Sequence, residues 1–178
     1  FEQRTVDNQM QASQAHEVAE AGLEWATGML NQPFDIGANC NFLTTTNQSF
    51  RKRYVLTRYN ASTNPTSGVV PATNTFPGCK MGPDGLACNC PPPPASGRRV
   101  ADLGTAMLPS FTVAFEAVAG DAEAVKLTVY ACNAQVPACD STNFTAGDGN
   151  ARLSVTLKMR AVLRAMPPLP MTCGTSCD

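Results

Sequence analysis

Between Gln3 and Asn31 the chain contains no proline, and its glycines in that stretch are Gly22 and Gly28. Small residues recur at Ala12, Ala15, Ala19, Gly22 and Ala26, at spacings of three and four that collect on one face of a helix. Leu23 and Leu30 flank that stripe, and Glu17, Glu20 and Glu24 line another side. Pro33 cannot continue a helix and ends it. Residues 3–31 therefore predict one rod of about 43 Å at ~1.5 Å per residue. A head of this size covers only part of such a rod, so the carboxy-terminal half should lie on the head and the amino-terminal half should project.

The 178 residues suit a single domain that buries its own core. Eight cysteines stand at Cys40, Cys79, Cys88, Cys90, Cys132, Cys139, Cys173 and Cys177. An even count scattered through loop-like sequence reads as four disulfides in an oxidising compartment. Zinc is the rival, but Cys88-Asn-Cys90 and Cys173-x₃-Cys177 do not make a recognisable pair of knuckles. Of the many pairings that eight cysteines allow, Cys132–Cys139 is the favoured one, because the loop is short and directly follows a strand. No run is apolar and long enough to cross a bilayer. The chain starts at Phe1 without methionine or a signal peptide, so we expect a segment to have been removed upstream. A net charge of −1 gives no electrostatic footprint for nucleic acid or an anionic membrane.

After the helix comes a sheet-containing head, residues 32–178. Residues 53–59 are aromatic and β-branched in the manner of a strand. An insert at about 60–108 is rich in Pro, Gly, Asn and Ser, and its centre, Cys88-Asn89-Cys90 followed by four prolines, predicts a stapled loop with a short polyproline II rod. Phe111, Val113, Phe115 and Ala117 alternate with smaller or polar residues, as do Val125, Leu127 and Val129, and then Leu153, Val155, Leu157 and Met159. Such alternation means an antiparallel sheet with one buried face, and the helix is the only sizeable cover for it. The expected fold class is α+β: a long amino-terminal helix on an antiparallel sheet with disulfide-stapled loops.

That layout resembles type IV pilins, and the opening residues sharpen the likeness. Phe1-Glu2-Gln3-Arg4-Thr5-Val6-Asp7-Asn8-Gln9, followed by Ala15-His16-Glu17-Val18-Ala19-Glu20-Ala21-Gly22-Leu23-Glu24-Trp25-Ala26, looks like the start of PilX-type minor pilins. The likeness covers about the first 30 residues. It implies a prepilin leader and an apolar helical stretch upstream of Phe1, with a methylated amino terminus in the full-length protein. That stretch would anchor the subunit in the inner membrane of a Gram-negative type bacterium, with the head in the periplasm, before packing in an extracellular pilus. It also implies partnership with other minor pilins and the major pilin in a tip complex that primes assembly, together with a large tip adhesin. The alternatives are a type II secretion pseudopilin, built on the same plan, and a secreted adhesin or binding domain of another class.

The subunit-interface candidates are Ala12, Ala15, Ala19, Glu20, Gly22 and Leu23, since small residues let backbones approach closely. For Gly22 and Ala26 a seat on the chain's own sheet is favoured over subunit contact, and for Ala12 and Ala15 subunit contact is favoured. For the three glutamates a solvated face is favoured over pairing with a neighbouring subunit, with Glu20 the best candidate for such a pair. The cysteine-proline insert is either an adhesive surface or a variable loop without a specific role. Catalysis finds no support: there is no G-x-S-x-G, Walker-type loop or H-E-x-x-H, and Cys88 would need a partner that His16, on the helix, does not supply. No cofactor is expected. Calcium is a weaker candidate, with oxygens from Asp140, Asp148 and Asn150, but these do not follow an EF-hand register and turn chemistry explains them more cheaply.

Overall fold

The computed structural model describes residues 2–45, 48–58, 68–133, 139–147 and 149–159. Helix α1 (Glu2–Asn31) is unbroken, as the absence of proline dictates. Residues 7–14 are exposed, and burial begins at Ala15 and recurs at Val18, Ala19, Gly22, Ala26, Met29 and Leu30. This three-and-four spacing is the seated face. Thr27 Oγ1 and Asn31 Nδ2 donate back to the carbonyls of Leu23 (2.8 Å) and Thr27 (3.0 Å), one turn earlier.

A short helix α2 (Phe50–Tyr54) precedes β1 (Val55–Arg58), which pairs antiparallel with β2 (Gly68–Pro71). The strand expected over residues 53–59 thus starts two residues late. Ser49 caps α2 by accepting from the Lys52 N–H, and the helix turns Phe50 and Tyr54 inward together.

The insert is stapled as expected, by Cys79–Cys88 within it and by Cys40–Cys90 to the preceding segment, but it is built of strands and is not a loop. It holds β2, β3 (Thr75–Phe76), β4 (Gly78–Gly82), β5 (Gly85–Asn89) and β6 (Arg99–Val100), with β3 and β6 paired in parallel. β4 and β5 form a tight hairpin, with Gly85 at φ +108°, a conformation that favours glycine. Together with β7 (Ser110–Val118), β8 (Asp121–Cys132) and β9 (Asn150–Lys158) they make one antiparallel sheet in the order β5-β4-β7-β8-β9. β7 and β8 meet through a turn at Ala119-Gly120, narrower than the five-residue link the sequence suggests.

One sheet face carries the main core. Phe111, Val113, Phe115, Val125, Leu127 and Val129 are all fully buried there, beneath α1, α2 and β1. Rings organise it: Trp25 meets Phe50 edge-on at 5.4 Å, and Tyr54 stacks on Phe115 at 6.2 Å. Contrary to the expectation of a single buried face, the other face is covered as well near one end. Ala114, Tyr130, Cys132, Cys139 and Phe76 form a second, smaller cluster there, with Val100 and Phe144 against it. The even-numbered partners of the alternating strands are therefore not all solvated.

Three disulfides lie among the described residues: Cys40–Cys90, Cys79–Cys88 and Cys132–Cys139. The last is the pairing the sequence favoured. Cys173 and Cys177 lie outside the described residues.

Candidate functional site

The projecting half of α1 is the candidate site. Its backbone is fixed by the continuous helix, and the helix is held in turn by the close fit of its other half. A Cβ added at Gly22 would lie 2.7 Å from Val129 Cγ1 and 2.9 Å from the Phe111 ring, so only glycine lets α1 settle this closely on β7 and β8. Over residues 7–14 the helix is exposed. Its one described tie is a hydrogen bond of 3.0 Å from Asn133 Nδ2 to the Gln11 carbonyl. Gln9, Met10, Ser13, Gln14 and Glu17 border a shallow depression along this part, and Met10 is 67% exposed. A large apolar side chain so exposed on a rigid element is available to a partner.

The structure divides the predicted small-residue stripe. Ala12 is exposed, whereas Ala15, Ala19 and Ala26 are fully buried and Gly22 is buried against the sheet. Subunit contact through Ala15 is corrected accordingly: the residue is enclosed by its own chain, because the head reaches one turn further along the rod than the sequence suggests. Leu23 is half-buried and packs on the main core. Glu17, Glu20 and Glu24 are exposed, and Glu20 lies 3.7 Å from His16 one turn back.

Asp140 and Asn150 have other engagements than calcium. The buried Asp140 carboxylate pairs with Arg98 and also accepts the Thr142 N–H at 2.7 Å, closing its own turn. Asn150 donates its side-chain amide to the Thr145 carbonyl at 2.7 Å. Asp148 lies outside the described residues. Among the described residues no group of three or more His, Cys, Asp or Glu side chains is placed to hold a metal ion, and no helix is long and apolar enough to cross a membrane.

Sequence reasoning missed the polar knot that fastens the insert to the head. Arg53 donates from its two terminal nitrogens to the carbonyls of Cys90 (2.9 Å) and Ile36 (2.6 Å), Tyr54 Oη donates to Pro91 (2.7 Å), and the Cys90 N–H donates to Ala38 (2.7 Å). The disulfide Cys40–Cys90 crosses the same point. A second knot joins the far face, where Arg98 lies over the Phe76 ring at 5.2 Å while pairing with Asp140. The insert had one local signal: Pro83-Asp84-Gly85 between two short strand-like runs is turn chemistry. The knots have no such signal, since their partners lie tens of residues apart.

Burial pushes the Tyr54 phenol well above its ordinary value near 10, and nearby Arg53 only partly opposes this. Folding therefore favours the neutral phenol. Its contribution to stability is complete below the unfolded value and is lost as pH rises beyond it. The melting temperature should hold level from pH 8 to about 10 and then fall more steeply in the native chain than in Tyr54→Phe. Parallel curves, offset only by the lost hydrogen bond to Pro91, would contradict this assignment.

Comparison with protein-family models, with curated proteins and with solved structures finds no match for the chain.

Proposed function

We propose that this chain is the head and helix of a PilX-like minor subunit of a type IV pilus, a non-catalytic building block of the tip complex that primes assembly and supports adhesion. The observation that carries the reading is the division of α1. One half is fixed on the sheet and the other, residues 7–14, is exposed on the same continuous helix. A filament subunit needs that combination, because its helix must be rigidly aimed before neighbouring helices pack on it. The likeness of residues 1–26 to PilX-type openings and the disulfide-held head support the same reading.

On this reading Ala12 and Met10 face other minor pilins or the major pilin, Glu20 lies at the margin of the contact, and the head is extracellular once the pilus is assembled. No resident cofactor or metal is involved.

Ala12→Trp, made in the full-length protein of the producing bacterium, tests this. Ala12 is exposed, so the melting temperature of the chain should change by no more than the shift that ~0.5 kcal/mol produces. Recovery with sheared pili should fall about tenfold, the loss of ~1.4 kcal/mol at a contact. Unchanged recovery overturns the interface. Loss of folding overturns the division of the helix into seated and free halves.

A further inference from the structure

The sheet ends abruptly on one side. β9 runs opposite β8 for nine residues in unbroken register, from Ala124↔Lys158 to Cys132↔Asn150, and among the described residues it pairs with β8 alone. Met159 donates its N–H to the Glu123 carbonyl at 2.8 Å, which sets the phase of the ladder. In an antiparallel pair successive residues turn their backbone groups to opposite sides. The N–H and C=O groups of Arg152, Ser154, Thr156 and Lys158 therefore point away from β8.

Edges of this kind are usually blunted by proline, a bulge, shortness or charged side chains, and β9 has only the last, at Arg152 and Lys158. β9 has no proline and no register shift. The opposite edge, β5, is only five residues long and is tied to β4 by Cys79–Cys88. The core also stops one strand too soon. Leu153, Val155 and Leu157 lie opposite Val129, Leu127 and Val125, all three fully buried, yet are themselves only half-buried. A further strand beside β9 would complete their cover.

We infer that β9 is a docking edge for an extended segment of a different protein, in which apolar side chains alternate with acidic or hydroxyl ones. The apolar side chains would continue the layer of Leu153, Val155 and Leu157, and the acidic ones would meet Arg152 and Lys158 on the outer face. Lys158 already lies 3.4 Å from Asp121, but both side chains are partly exposed, so that pair yields easily. Charge also argues against a second copy of this chain. Antiparallel self-pairing centred on Val155 would set Arg152 against Lys158 at both ends, and like charges directly opposite are destabilising. The inference uses a different face from the filament contact and stands whether or not Ala12 proves to be an interface.

The test uses the oxidised chain and a blocked nonapeptide alternating valine with aspartate and threonine. Amide exchange at Arg152, Ser154, Thr156 and Lys158 should be fast in the free chain and slow about tenfold or more with peptide, while that at Leu153, Val155 and Leu157 changes little. Thr156→Pro removes one outward donor without touching the ladder to β8, so folding is kept while peptide affinity drops about tenfold. Arg152→Glu should shift preference to a peptide carrying lysine in place of aspartate. Outward amides already protected in the free chain would overturn the inference. So would protection that rises with the chain's own concentration, absence of peptide binding at millimolar concentration, or binding indifferent to Thr156→Pro.

Discussion

Replacing Cys40 and Cys90 together by alanine is expected to cost about 4 kcal/mol of unfolding free energy, a fall of roughly 8–16 °C in melting temperature. The bridge spans a sequence separation of 50, the longest ring among the described disulfides, so its removal frees the most conformations in the unfolded chain. The folded state loses support too. Cys90 donates its N–H to Ala38 and accepts from Arg53, and both bonds depend on the segments around Cys40 and Cys90 being held side by side. Removing Cys79–Cys88, with a separation of 9 across a paired hairpin, should cost less, about 2.5–3 kcal/mol. Urea denaturation of the oxidised variants decides the matter. A loss below about 1 kcal/mol for the Cys40/Cys90 pair would mean that the polar knot alone fixes the insert.

Gly78→Ala should be nearly as damaging. A Cβ at this position would lie 2.2 Å from the Phe111 carbonyl oxygen and 3.0 Å from Thr112 Cα. Both obstacles are backbone, so no rotamer change relieves the clash and β4 must move off β7. We expect a loss of about 3 kcal/mol or more, at the upper end for single substitutions. Amide exchange should place the damage in β4 and β5, with α1, β8 and β9 still protected. An unchanged denaturation midpoint would show that β4 lies further from β7 than described.

These two sites mark where the sequence was silent. The long helix was legible because proline, glycine and small residues act locally: the expected 3–31 and the observed Glu2–Asn31 differ by one residue at the start. β7, β8 and β9 were legible because their apolar residues alternate cleanly, and Cys132–Cys139 because the ring is short. The insert was misread since its strands are two to five residues long, too short for periodicity to register against so much glycine and proline. What makes them strands is pairing, β2 with β1, β3 with β6, β5 with β4 and β4 with β7, which no local pattern announces. Tyr54 was placed in a strand because aromatic residues favour one, and the cap at Ser49 tipped the balance to a helical turn. At the candidate site, Ala12 and Ala15 look alike in sequence. Only the reach of the head along the rod, a tertiary quantity, puts one in solvent and the other inside.

The ring closed by Cys40 and Cys90 also governs how the molecule answers to tension. A load applied at α1 and at β9 passes through that bridge and bypasses residues 41–89, whose slack of about 170 Å at ~3.4 Å per residue cannot be paid out while the sulfurs stay joined. β4, β5 and the Tyr54–Pro91 contact lie within or directly beside this sheltered span. Stretching would strip the helix from the sheet long before it unravelled residues 41–89, leaving that part of the surface in shape on a strained molecule.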